Sequence, residues 1–528
     1  MIDQKEELSM KRTLALVLTL LIALCFTLPA MAVELDLPLA EDGYNVTIML
    51  RKEELSQNTW PEKECVQYTE EQTGIHVEWI EIPFSAWDEK VNLTIASDDL
   101  PDAFIGSVDV VANMDILTPL DDLIDQYAPN TLEMFETLPD MRGALTLSDG
   151  HIYSLPTGDA DPKNEVNGEM WINQTWLEQL GLEMPTTIDE FYDVLVAFRD
   201  SDPNGNGEQD EIPLLVSAAS SNAARHDYLF GLFGTLENNQ HVRVEDGQVI
   251  FTPAEDGYFE ALSWLHKLYE EGLMNSEYYT EDYQQFLAKG HSETPIVGVV
   301  IEWYIDNIIL SDFVSDYTVL PPLKDSEGNL MTWCPDMGPN SPQGTLNGFT
   351  ITTACEHPEL LVEWYDYINS NLDIQLLWNY GPEDLIWRYR EDGLWELFND
   401  NVPEGTSSSQ IRRTMGTGPA SPVYAYSRFR GPGVEFYANR IAAKVEANTL
   451  YKEAFPKERL SNGFGEVEEE AERNLLLVDI DNYLDQFKAN AVVKGITEEE
   501  WQAHLDKLKS LNIEEYVGYW QSYFDSHQ

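Results

Sequence analysis

Basic residues are scarce in this sequence: 31 Lys and Arg stand against 94 Asp and Glu, a formal net charge of −63 in 528 residues. A field of that sign repels phosphate, which excludes nucleic acid and anionic membrane surfaces as partners. Cysteine is scarce too. Of the four, Cys25 falls in an apolar leader, and Cys65, Cys334 and Cys355 remain. An odd number cannot complete a disulfide framework and no CxxC spacing suggests zinc, so at most one bridge, Cys334 to Cys355, is open. Beyond residue 32 no apolar run is long enough to span a bilayer. Catalytic signatures are missing as well. The nine His show no HExxH spacing, no GxSxG elbow occurs, and Gly416-Thr417-Gly418 lacks the rest of a phosphate loop. A glycosidase needs two carboxylates flanking one bond, and among so many acids the sequence singles out no pair. His226, between Arg225 and Asp227, is the one His in a charged cluster, and it is expected at the surface or on a cleft rim. The chain is not expected to be an enzyme.

What is present begins with an export signal over residues 1–32. Lys11 and Arg12 precede the apolar run Leu14 to Leu28, and Ala30-Met31-Ala32 offers small residues for cleavage, so the mature chain is expected to start near Val33. Met10 fits an initiator better than Met1, because Met1 to Ser9 are polar and acidic. The bulky Leu24 before Cys25 argues against lipidation there. The remaining length suggests two domains or lobes. With 43% hydrophobic residues, 14 Trp and 25 Tyr, the chain cannot be disordered.

From Tyr44 the pattern alternates strand and helix. Tyr44 to Leu50 reads as a strand, Trp60 to Thr73 as helical, His76 to Ile82 as a strand and Trp87 to Ser97 as a helix, before the short apolar run Ala103-Phe104-Ile105. This order opens a parallel sheet, whose ligand edge lies at the carboxyl ends of its strands. Arg51, Asn58 and Trp60 follow the first strand, and Asp109 follows the third. Tyr258, Leu262, Leu265 and Leu268 share one helical face that closes at Glu271-Gly272, and Thr294 to Ile301 is a buried strand delivering Glu302 and Trp303. Thr497 with Glu500 forms a capping box before Trp501, Leu505 and Leu508. Gly405 to Ser409 reads as a loop.

Between Asp200 and Leu214, oxygen-bearing side chains recur at every second residue: Asp202, Asn204 and Asn206, continued by Glu208 and Asp210. Gly205 and Gly207 let the backbone curl, so the loop can converge oxygens on a hard cation such as calcium. The EF-hand pattern fails at its closing Glu, where Pro213 stands, leaving Asp210 or Glu211 to close the site. A capping box at Thr187 and Glu190, and Ile188, Phe191, Val194, Leu195 and Phe198 at helical spacing, place the loop after a firm helix.

Several blocks together resemble an extracellular solute-binding protein of a sugar ABC transporter, of the large firmicute type that includes oligosaccharide-binding lipoproteins and alginate-binding proteins. They are Glu71-Gln72-Thr73-Gly74-Ile75, Ser97 to Phe104, Asp149 to Pro156, Trp171 to Leu177 with Leu180-Gly181-Leu182, Pro185-Thr186-Thr187, the loop itself, Gly348-Phe349-Thr350-Ile351 and Gly381-Pro382-Glu383-Asp384. The resemblance implies an α/β fold of the two-lobed periplasmic-binding-protein type (type II), with discontinuous lobes and a ligand cleft between them. The corresponding division is residues 33–156 for the first part of the N-terminal lobe, 157–300 for the C-terminal lobe with the loop, 301–430 for segments that cross between lobes and complete both, and 431–528 for a helical region packed on a lobe. It implies structural Ca2+ held by Asp202, Asn204, Asn206, Asp210 and Glu211 with the backbone carbonyl of Glu208. It also implies a monomer that delivers carbohydrate to the transmembrane subunits of a permease. A sugar sensor or adhesion module is the alternative of another class. Asn173, where the family usually has Arg, and Trp387, where a smaller aromatic is usual, depart from the pattern and bear on the identity of the ligand.

A sugar offers apolar C–H faces and a rim of hydroxyls, so its site needs aromatic planes and hydrogen-bonding side chains. Trp303 beside Glu302 is the leading aromatic. Trp60, Trp171, Trp333 and Trp378 follow, with Arg51, Asn58, Asp109 and Asp336 as hydroxyl partners. Tyr424, Tyr426 and Arg428 form a mixed cluster that a surface loop explains equally well.

Overall fold

The first sheet is built around β1 (Tyr44–Lys52), which buries Val46, Ile48, Met49 and Leu50 and so packs side chains on both faces. The computed structural model describes residues 35–527 except 42, 54–55, 160–167, 218–225, 282, 303, 326, 334–344, 392, 394, 399, 404, 419–420, 426–445, 448 and 462. The leader with Cys25, and Arg225, Trp303, Cys334, Asp336, Tyr426 and Arg428, therefore lie outside the described residues.

β1 pairs in parallel with β2 (Ile75–Pro83), Tyr44 opposite Ile75, and with β3 (Ala103–Ile105), Ile48 opposite Ala103. The helix Glu64–Thr73 joins β1 to β2. It stops at Gly74, whose φ of 70° is left-handed and where a Cβ would meet the Ala40 carbonyl oxygen at 2.3 Å, so only glycine fits. The helix Trp87–Ser97 leads to β3 over the span its periodicity predicts.

After β4 (Ser154–Asp159) the chain leaves this sheet for a second one, made of β5 (Glu169–Asn173), β6 (Ile212–Leu215), β9 (Val297–Glu302) and β10 (Tyr317–Val319), with the hairpin β7 (Val242–Glu245) and β8 (Gln248–Phe251) between. β9 is central, antiparallel to β5 and parallel to β6, and all six of its residues are buried. The helix Asp256–Glu270 covers this lobe with Tyr258, Leu262, Leu265 and Leu268. Burying each such leucine contributes about 2 kcal/mol.

The chain then returns. β11 (Thr345–Ile351) inserts antiparallel between β3 and β4, the hairpin β12 (Trp387–Tyr389) and β13 (Trp395–Leu397) follows, and β14 (Tyr424–Ala425) pairs with β4. The completed order is β14-β4-β11-β3-β1-β2. A third passage brings Ala447 and Tyr451 into the core of the second lobe, and the helices Val467–Lys494, Glu498–Lys509 and Ile513–Ser526 pack against the β7–β8 hairpin. Each lobe is thus discontinuous in sequence. No helix among the described residues is long and apolar enough to cross a membrane.

Two caps show how local chemistry sets the helices. Thr497 accepts from Glu500 N while the Glu500 carboxylate accepts from Thr497 N at 2.8 Å, the expected box. At the other, Thr187 accepts from Glu190 N, but the Glu190 carboxylate turns to Thr186, taking its N–H and hydroxyl at 2.8 Å each. The carboxylate thus reaches one residue further back than the predicted box.

Candidate ligand cleft and metal loop

The carboxyl ends of β1 and β9 are joined by one helix, Ser408–Met415. Its N-cap is Ser407, whose hydroxyl accepts from Gln410 N at 3.1 Å. Its other end is held to the first lobe by Lys63, only 1% exposed, whose ammonium donates to the carbonyls of Arg413, Thr414 and Gly416 at 2.8 Å each and to Ser56 Oγ at 3.0 Å. A cation there meets both the orphan carbonyls and the negative end of the helix dipole. Burial lowers the Lys63 pKa to about 8, which leaves the ammonium charged at neutral pH.

Arg51 lies at the end of β1 with its guanidinium 4.4 Å from the Phe84 ring centroid and a buried Nε that meets no acceptor. Asn58 is half-buried beside the helix, its amide 3.8 Å from Met415 Sδ. On the opposite lobe Glu302 is buried. Its backbone carbonyl accepts from Trp171 Nε1 at 2.8 Å, and its carboxylate accepts from Asn307 Nδ2 at 3.0 Å. Charged and amide groups therefore stand at both strand ends, which is what recognition of hydroxyls requires.

The acidic loop follows the helix Ile188–Asp200. Asp202 accepts from Asn206 N at 3.1 Å and Gly207 N at 3.0 Å, and the amides of Asn204 and Asn206 both turn their Nδ2 toward Asp210, at 3.2 Å to Oδ1. Glu211 carries the informative atoms. Both its carboxylate oxygens are buried without a hydrogen-bond partner, and burial, with Asp210 and Asp202 nearby, raises its pKa. Among the described residues no three His, Cys, Asp or Glu side chains alone are grouped to hold a metal ion. A cage here needs the two Asn oxygens as well, with their amides turned over. Glu208 is exposed and its N–H donates to Asn206 Oδ1 at 2.7 Å.

A sequence profile for the bacterial extracellular solute-binding protein family matches residues 53–371. The fructooligosaccharide ABC transporter substrate-binding protein FusA of Streptococcus pneumoniae serotype 4 (strain ATCC BAA-334 / TIGR4) is 30% identical over 506 residues, covering 92% of this chain and 91% of its own. The solved structure of S. pneumoniae FusA with kestose matches at a TM-score of 0.80 and 29% identity, covering 92% of this chain and 99% of that one. A FusA EF-hand mutant with fructo-nystose matches at 0.80 and 28%, with the same coverage. The chain belongs to the bacterial extracellular solute-binding protein family.

This solute-binding protein is accordingly a substrate-binding subunit of an ABC transporter, not an enzyme, with the two-lobed type II fold. Several of its expected ligand residues are placed elsewhere. Trp60 is 2% exposed and packs its ring 4.8 Å from Trp79 and 5.7 Å from Trp378, which is itself fully buried and donates Nε1 to Thr69 Oγ1 at 2.9 Å. Both fill the first lobe's core, and an indole covered by other rings has no face left for a sugar. In the second lobe Trp171 supports the Glu302 backbone from within the core, and Trp333 stacks on Tyr228 at 5.0 Å. Asp109 is exposed, and its carboxylate is engaged by Ala112 N and by Asn474 of the helix Val467–Lys494. His226 is 3% exposed, edge-on to Tyr278, and not on a rim.

The two departures from the family pattern are structural. Asn173 accepts from Trp176 N at 3.0 Å as the N-cap of the helix Gln174–Leu180, and Trp387 donates Nε1 to the Gly381 carbonyl at 2.7 Å inside a small aromatic cluster. Asn173 ends β5, which runs antiparallel to β9, so it lies toward the start of β9 and not beside Glu302. The bridging helix is the feature missed from the sequence, where Gly405 to Ser409 read as loop. The signal was there: Ser407 followed three residues later by Gln410 is a helix start.

Proposed function

We propose that this protein captures a fructose-containing oligosaccharide on the extracellular side of the membrane, holds it between its lobes and delivers it, as a monomer, to a membrane permease. The observation that carries the substrate class is the similarity to FusA along 92% of the chain, together with the kestose held in that relative's structure. The charge of −63 favours a neutral sugar over an acidic one. Arg51 and Asn58 on one lobe and Glu302 on the other are proposed to bind hydroxyls, because they stand at the carboxyl ends of the strands that face the bridging helix. Ligand that touches both lobes stabilises the closed form by contacts the open form lacks.

The acidic loop is assigned a structural Ca2+, held by Asp202, Asn204, Asn206, Asp210 and Glu211 with the carbonyl of Glu208. The buried, unpartnered carboxylate of Glu211 supports this, and so does the existence of an EF-hand in FusA. Calcium supplies charge neutralisation there and stiffens the exit from the helix Ile188–Asp200; it has no part in holding the sugar. Calorimetric titration with short fructooligosaccharides tests the reading.

A further inference from the structure

We infer that the helix Ser408–Met415 is a closure latch, fixed to one lobe and bonded to the other through Ser408 and Ser409, which sets how long a bound ligand is retained. The inference rests on the reading of the protein as a lobe-closing binder and adds residues that do not touch the ligand.

The helix belongs to the first lobe. Ile411 packs in the cluster of Leu376, Tyr380 and Trp387, and Lys63 ties down the last carbonyls. Its first turn faces the second lobe, whose core takes in Ile305 and Ile308 on either side of Asp306 and Asn307. Ser408 Oγ donates to Asp306 Oδ2 at 2.8 Å, with both residues buried, and Ser409 Oγ donates to Asn307 Oδ1 at 2.7 Å. A buried hydrogen bond to a carboxylate is among the stronger ones a protein makes.

The polarity of the second bond is fixed from both ends. Asn307 must present Nδ2 to the Glu302 carboxylate, which only accepts, and so its oxygen faces Ser409. Ser409 Oγ in turn accepts from Arg413 Nη1, so its single proton is committed to Asn307. Arg413 Nε reaches Glu53 Oε2 at 3.4 Å. The result is a continuous polar line from Glu53, just past β1, to Glu302, at the end of β9. Opening the lobes would break it in the middle, at the Ser409 hydroxyl, together with the neighbouring Ser408–Asp306 bond, and return those groups to water. These bonds therefore belong to the closed form, and their loss accelerates ligand departure far more than it alters encounter.

Spin labels placed at Lys90 of the first lobe and Glu270 of the second, through Lys90→Cys and Glu270→Cys with Cys334→Ser, report the separation of the lobes by pulsed electron resonance. In ligand-free protein the short-distance population is expected to fall in Ser409→Ala and in Asn307→Ala. For kestose, the dissociation rate is expected to rise roughly tenfold while the association rate stays within about twofold. Distance distributions that coincide with the unsubstituted protein in both variants overturn the latch. If kestose does not bind the unsubstituted protein, the oligosaccharide assignment falls, and the distance distributions still decide on the latch.

Discussion

Lys63 and Gly416 are joined by a 2.8 Å hydrogen bond from a buried ammonium to a backbone carbonyl, 353 residues apart in sequence. The same ammonium serves the carbonyls of Arg413 and Thr414, so one side chain fixes the end of the bridging helix to the lobe of β1. Lys63→Met keeps the apolar stem and removes the charge, leaving three helix-end carbonyls without their donor. The variant is expected to lose about 3 kcal/mol of unfolding free energy, read from denaturant melts.

This bond also shows what sequence can and cannot convey. The βαβαβ opening, the buried strand before Glu302 and the helix over 256–270 follow from hydrophobic period and turn chemistry, and they were legible. The acidic loop after the helix Ile188–Asp200 was legible as a pattern of alternating oxygens, the pattern on which the calcium assignment rests. The status of the tryptophans was not, because an indole that stacks on a sugar and one that fills a core look alike in sequence; only the packing of Trp60 against Trp79 and Trp378 separates them. Nor could one chain announce that Lys63 would find its acceptors beyond residue 412, or that Ser409 would meet Asn307. Contacts of that range have no local signature, and the Ser407–Gln410 start is the only trace the helix leaves.

The calcium assignment predicts a chelator-sensitive protein. The melting temperature is expected to fall when calcium is removed, by the equivalent of about 3 kcal/mol when the ion had been held at a hundred times its dissociation constant. Asp202→Ala is expected to abolish the difference between the two conditions, and Glu211→Gln to reduce it. Equal melting with and without chelator contradicts the assignment.

Two buried histidines give opposite pH dependences. His504 lies against Phe487, its ring centroid 3.8 Å away, with Nε2 toward the Pro253 carbonyl and Nδ1 toward Tyr483 OH. Burial depresses its pKa to about 4, opposed by the bond to Pro253, so the unfolded chain takes up a proton first and stability is lost as pH falls from about 6.5 toward 4. The cost approaches about 3 kcal/mol, and His504→Phe should flatten that limb of the pH–stability curve. His241 is the reverse case. Burial disfavours its charged form, but Glu237 and Asp481 outweigh burial and raise the pKa to about 9, so its contribution is full below about pH 6.5 and is lost as pH rises through 9.

Isothermal titration of the mature protein with kestose tests the central claim most directly. A single saturable site with a dissociation constant of about 10 μM or tighter, weakened roughly tenfold or more by Glu302→Gln, is the predicted result. Absence of heat with kestose and longer fructooligosaccharides, alongside saturable binding of an unrelated or acidic glycan, would contradict it.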